Sequence, residues 1–166
     1  MSTELDEANR RSPTFPGSVD AALPPGFHRL RRERPAGHGS GDFERAATMA
    51  LSWRMLRQAG LHVEATADRP RLGGTVVQRR GPFRAPCRIV EVIDEPRRAG
   101  FSYASLPGHP ERGVERFLAE HRPDGSVYCV VESVSRAAAW YARLGGPVTR
   151  LVQRWMVGRY LTAMAG

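Results

Sequence analysis

From Leu61 to Arg136 the chain is a succession of short apolar or alternating runs. Each is cut off by a turn signal: Gly73-Gly74, Gly81-Pro82, Glu95-Pro96, Pro107-Gly108 and Pro123-Asp124-Gly125. Period-two alternation sends successive side chains to opposite faces, which is the signature of strands. Gly and Pro pairs mark where such strands reverse. The spacing predicts strands near 61–67, 74–80, 87–94, 98–106, 113–121 and 126–135. Connections this short cannot hold a crossover, so neighbouring strands are antiparallel.

Such a sheet has to bury a face against something. The chain offers a long amphipathic helix from about Ala137 to Met164. Trp140, Leu144, Val148, Leu151, Val152, Trp155 and Met156 form its apolar stripe, with Arg143, Arg150 and Arg154 off its centre. Gly145-Gly146-Pro147 interrupts it. Proline is tolerated best in a first helical turn, so this is a kink or a break between two helices. A second helical stretch runs from about Asp42, a candidate N-cap, to Gln58. It carries Phe43, Ala46, Ala47, Ala50 and Leu51 on one face, with Trp53 and Leu56 extending the apolar content and Gly60 as a stop. It is one helix or two short ones. Phe27 to Glu33 predicts a first strand and Gly37 to Gly41 a loop. Residues 1–25 hold Pro13, Pro16, Pro24 and Pro25 and no periodicity, and are expected to form a flexible N-terminal arm on a single domain of residues 26–166.

Composition narrows the function classes. The net charge of +8 comes from 25 basic residues, all arginine, against 17 acidic ones. They are scattered, whereas a nucleic-acid binder clusters its charge on one face; this argues against nucleic acid and leaves an acidic ligand open. Cys87 and Cys129 lie in separate strand-like runs, with neither disulfide nor metal spacing. They are expected to be buried reduced thiols. No apolar run approaches the ~18 residues of a membrane span. Arg10-Arg11 is not followed by a hydrophobic region, so a cytoplasmic location is expected. The histidines at 28, 38, 62, 109 and 121 show no metal-ligand spacing, and phosphate-loop, dinucleotide and nucleophile-elbow motifs are absent. No metal and no cofactor are expected. Oligomeric state is unconstrained.

Chemistry concentrates in Leu106 to Phe117, where a Gly/Pro turn between two strands carries His109, Glu111, Arg112, Glu115 and Arg116. Polar groups on a turn held by strands are often functional. His109 is the leading acid–base candidate, because imidazole titrates near neutrality. The competing role is to tie the turn together through its ring nitrogens. Glu111 or Glu115 would orient it, or else pair with Arg112 or Arg116. Glu115 shares a face with Phe117 and Ala119, which points it inward. Glu91 and Glu132 interrupt apolar runs; alternation puts Glu91 with Ile89 and Ile93, and Glu132 with Val130 and Val134. A buried carboxylate needs a partner or a proton, so each is a cavity candidate or is satisfied by an arginine such as Arg88 or Arg116. Tyr103, Ser135, Trp53, Phe117 and Trp155 complete the candidate binding set.

Pro86-Cys87-Arg88-Ile89-Val90, Gly100-Phe101-Ser102-Tyr103, Leu106 to Phe117, Trp140 to Gly145 and Gln153-Arg154 together resemble the DUF1990 (UPF0548) family over about residues 26–164. One departure is Val114, where many relatives carry a further glutamate. The element order is similar to the helix-grip fold of the START and Bet v 1-like superfamily. That resemblance implies an α+β fold, with a curved antiparallel sheet of about seven strands gripping a long C-terminal helix over a cavity. It also implies a hydrophobic small molecule as partner. Superfamily relatives that cyclise polyketides suggest a cofactor-independent cyclase, dehydratase or isomerase acting on a biosynthetic intermediate, with His109, Glu111 and Glu115 as acid–base groups. Two alternatives stand beside it: a ligand carrier without turnover, and an arginine-rich interaction protein.

Overall fold

The computed structural model describes residues 2–138 and 145–166. Seven antiparallel strands form one curved sheet: β1 (His28–His38), β2 (His62–Ala65), β3 (Thr75–Arg80), β4 (Phe83–Glu95), β5 (Arg98–Ser105), β6 (Glu111–His121) and β7 (Ser126–Ala137). Their order is β1-β7-β6-β5-β4-β3-β2. Four short turns and the nine-residue loop 66–74 make the β2–β7 meander. Between β1 and β2, helices α2 (Gly39–Ala50) and α3 (Arg54–Gln58) carry the chain from one sheet edge to the other. The helical stretch is therefore two helices. Asp42 does not sit at the N-cap; helix α2 starts three residues earlier. Its carboxylate instead accepts the His38 N–H at 2.8 Å from inside the first turns. Gly37 permits this, since its φ is +127° and a Cβ there would collide with the Asp42 carboxylate.

The concave face packs Ile89, Phe101, Phe117, Cys129 and Val131 against Phe43, Ala46, Trp53 and Leu56 of the α2–α3 region and against the C-terminal helix α4 (Gly146–Ala165). Helix α4 begins with Pro147 in its first turn, where a missing N–H costs nothing. The apolar stripe expected to be its buried face is only partly so. Val157, Tyr160, Leu161, Ala163 and Met164 are buried, but Val148, Leu151, Val152 and Trp155 are 48–63% exposed. The N-terminal half of α4 overhangs a cavity instead of resting on the sheet. Trp140, Arg143 and Leu144 lie outside the described residues.

Residues 2–25 were expected to be flexible and aperiodic. They carry a further helix, α1 (Thr3–Asn9), capped by the Ser2 hydroxyl, and cover the convex face. Leu5 and Ala8 pack on Val77 and Leu106, while Phe15 and Val19 pack on Phe27, Val114 and Val134. Each of these contacts removes apolar surface of the sheet's second face from water, which is what holds an otherwise polar segment in place.

Candidate active site

Strand β6 leaves the Leu106–Pro110 turn with Glu111, Gly113, Glu115 and Phe117 alternating onto the concave face, towards α4. Here the sheet and the first half of α4 enclose a cavity of about 730 Å³. Its floor holds Tyr103, His109, Glu111 and Glu115; its apolar wall includes Leu61, Val148, Val152, Trp155 and Met156. The three residues expected to carry acid–base chemistry thus meet in one cavity, together with Tyr103 and, at its rim, Trp155. Trp155 is clamped by two guanidinium groups, those of Arg80 at 4.3 Å and Arg159 at 5.1 Å from its ring centre.

Burial sets the protonation states. Desolvation pushes the Glu115 carboxyl up to about 8, with the Glu111 charge adding to the effect. Its Oε1 is buried without a hydrogen-bond partner. Glu111 is pushed up to about 7 by desolvation, moderated by a hydrogen bond to Ser135. Gln153 of α4 donates to Ser135 Oγ at 3.1 Å and reaches Glu111 at 3.5 Å. The rim arginines Arg79 and Arg84 are held by Glu4 of α1 and do not neutralise either acid. His109 is driven down to about 4 by desolvation. Its Nδ1 accepts the Glu111 N–H at 2.9 Å, so the ring is neutral and carries its proton on Nε2. Burial also raises the Tyr103 and Tyr160 hydroxyls, which hydrogen-bond to each other; Tyr103 further bonds to Gln78.

Other expected site residues lie elsewhere. Glu91, Arg116 and Glu132 are on the convex face. A β-bulge between Ile89 and Glu91 breaks the alternation, leaving Ile89 in the concave core and turning Glu91 outward opposite Ser102. Arg116 is 4% exposed and gathers Asp20 at 2.6 Å, Glu91 at 3.1 Å and Glu132 at 3.3 Å. Arg88, on the same face, binds the Asn9 and Arg11 carbonyls of the N-terminal arm at 2.9 and 2.8 Å. These four residues build the scaffold and do not line the cavity. Trp53 and Phe117 are buried core residues, Trp53 donating to the Ala67 carbonyl at 2.8 Å. Ser135 borders the site through Glu111 and Gln153. Gln78 and Gln153 were not foreseen. Gln78 was legible as a polar residue following Val76-Val77, whereas Gln153 required knowing which face of α4 overhangs the cavity.

With this geometry in place, the relationships to other proteins are clear. The domain of unknown function DUF1990 matches residues 14–163. The chain belongs to the DUF1990 family. A UPF0548 protein of Deinococcus radiodurans is 35% identical over 143 residues, covering 78% of this chain and 70% of that protein. Among solved structures, a hypothetical protein of Helicobacter pylori superposes with a TM-score of 0.58 at 9% identity, over 90% of this chain and 97% of the other. Thalictrum flavum norcoclaurine synthase, in complex with dopamine and hydroxybenzaldehyde, superposes at 0.55 and 12% identity, over 82% and 85% of the two chains. At such identities the likeness is one of fold: this DUF1990 chain has the helix-grip, Bet v 1-like architecture. No described helix is long and apolar enough to cross a membrane.

Proposed function

We propose that the chain is a cofactor-independent acid–base enzyme acting on an apolar small molecule held between the sheet and α4. The observation that carries this reading is the Glu115 carboxyl, placed in an apolar cavity with an unpartnered Oε1. An acid this costly to bury is expected where it has work to perform. Two carboxyls with different midpoints divide the roles of acid and base. Glu115, protonated at neutrality, donates to a carbonyl oxygen of the ligand. Glu111, partly ionised, takes the proton from the carbon beside that carbonyl. The C–H electron pair moves into the new C=C bond and the carbonyl π pair onto oxygen, giving an enol. Where the ligand has a C=C bond β,γ to the carbonyl the enol is a dienol, and return of the Glu111 proton to the γ carbon with return of the enol proton to Glu115 yields the conjugated isomer. Alternatively the enol carbon attacks a second carbonyl, the enol proton returns to Glu115 as the first carbonyl re-forms, and the new alkoxide takes the Glu111 proton, giving a ring. His109 presents its Nε2–H as a neutral donor, so the acid–base role passes from the imidazole to the carboxyls.

A binding protein without turnover is the second reading. The His109 Nδ1 bond to the backbone favours it, because that ring nitrogen is used to hold the turn. An interaction-protein role has less support: on the convex face Arg31, Arg116 and Arg122 are already paired with acids. The buried thiols of Cys87 and Cys129 suit a reducing compartment, which supports a cytoplasmic location.

The test is native mass spectrometry of the purified protein, with denaturing extraction of whatever it carries. The extracted compound is then incubated with wild-type protein and with Glu115→Gln. Conversion by the wild type alone supports the enzyme; stoichiometric binding by both without conversion establishes the carrier.

A further inference from the structure

A second groove of about 830 Å³ lies on the other side of α4 from the cavity. Arg29, Arg112, Arg136, Arg150 and Arg154 line it, and Glu111 is the one acid among its described lining residues. Arg29 and Arg136 are committed in part: Arg29 donates to the Val19 and Ala21 carbonyls, and Arg136 lies over the Phe27 ring. Neither contact cancels their charge. Arg112, Arg150 and Arg154 have no carboxylate partner among the described residues, and Arg112 Nε is buried without a hydrogen bond. Arg150 follows the first turn of α4, which has no acidic residue and no side-chain cap, and Gly146 of that turn lines the groove, so the positive end of a long helix faces the same space. Around Arg116, by contrast, one arginine is matched with three acids. Here they converge unmatched.

Glu111, Thr149 and Gln153 line both this groove and the apolar cavity. The two spaces therefore adjoin, with the Gln153 contacts to Ser135 and Glu111 between them, and a ligand that spans both displaces the Gln153 side chain. We propose that the groove holds the phosphate or diphosphate end of a ligand whose apolar body fills the cavity, making the substrate class a phosphorylated apolar alcohol. The inference rests on the proposed occupancy of the cavity. A lone carboxylate is matched by one guanidinium fork; five arginines around one groove call for a group of higher charge.

The test compares dodecanol, dodecyl phosphate and inorganic pyrophosphate by titration calorimetry at fixed salt. It uses wild type, Arg150→Ala/Arg154→Ala, and the control Arg54→Ala/Arg57→Ala. All four substituted side chains are exposed, and the two variants change the net charge equally. Dodecyl phosphate is expected to bind the wild type at least tenfold more tightly than dodecanol. The groove variant should lose that gain and keep its dodecanol affinity, while the control retains the gain. Equal binding of dodecanol and dodecyl phosphate overturns the groove assignment, as does a gain that survives in the groove variant or falls equally in the control. If dodecanol does not bind, pyrophosphate decides. Binding to wild type but not to the groove variant upholds the anion site and sinks the apolar-cavity reading; binding to neither sinks both.

Discussion

The Nδ1 atom of His109 accepts the backbone N–H of Glu111 at 2.9 Å, so one bond joins the turn to the first residue of β6. It fixes the tautomer: the ring proton resides on Nε2. With its midpoint lowered to about 4 by burial, the imidazole stays neutral through the physiological range. Two-bond ¹H–¹⁵N spectra should show the Nε2–H pattern for His109 unchanged from pH 5.5 to 8. A ring that titrates near 6.5 would remove the basis for assigning proton transfer to the carboxyls. His109→Ala should cost about 1 kcal/mol of stability through the lost hydrogen bond, read by urea unfolding.

Glu115 makes stability depend on pH with the opposite sign from an ordinary salt-bridged acid. Its midpoint is raised from 4.5 to about 8, so between those values the folded state binds more protons than the unfolded one. Stability is full below pH 4.5 and falls as pH climbs towards 8. His109, lowered from 6.5 to about 4, acts in the other direction, losing stability as pH falls through that window. Glu115→Gln separates the two. It should reduce the decline between pH 5 and 8 to the part that Glu111, raised to about 7, contributes, with the variant more stable than wild type by on the order of 2 kcal/mol at pH 8. Denaturant unfolding at both pH values measures this. An unchanged slope would show Glu115 to be ionised at neutrality.

Arg116 tests the separation of scaffold from site. It is buried among Asp20, Glu91 and Glu132, and its partners hold its charge while it holds Asp20 below the usual carboxylate range. Arg116→Met leaves three acids facing one another and releases the arm at Asp20. The expected loss is about 3 kcal/mol. Affinity for a cavity ligand should change less than twofold at a temperature where the variant is folded, because the network lies on the far side of the sheet. A large fall in affinity would mean that the convex face reaches the site.

The antiparallel β2–β7 succession was legible from the turn pairs, though not the pairing of β1 with β7, which no turn joins, and the inward direction of Glu115 was legible from its alternation with Phe117. Glu91 was misplaced because one bulged residue reverses every side chain beyond it, and no composition signal marks the bulge at Val90. Glu132 was placed correctly beside Val130 and Val134, but alternation does not say which face encloses a cavity. Both faces of this sheet are apolar, since the N-terminal arm covers the second one. The arm itself was misread because its anchors, Leu5, Ala8, Phe15 and Val19, are isolated apolar residues that acquire meaning only against Val77, Leu106, Val114 and Val134. Helix α4 shows the converse: Val148, Val152 and Trp155 look like core and line a cavity.

Gly113 lies between the two catalytic candidates on β6 and is clamped on both sides. Its N–H donates to Ser105 Oγ at 2.9 Å and its carbonyl accepts from the same hydroxyl at 3.3 Å. A Cβ there would strike the Val134 carbonyl and come within 2.7 Å of Ser135 Cα. These are backbone atoms of β7 that cannot swing aside as a side chain can. Gly113→Ala should therefore cost about 2–3 kcal/mol and push β6 off β7, moving Glu111 and Glu115 together. Gly158→Ala on α4 is the matched control, since its Cβ meets nothing within 4 Å. A glycine inside a helix wastes conformational entropy, so that change should stabilise by about 0.5–1 kcal/mol. Urea midpoints of the two variants should move in opposite directions. A tolerated Gly113→Ala would mean that β6 has slack against β7, and that the close register between Gly113 and Ser135 is not what positions the carboxyls.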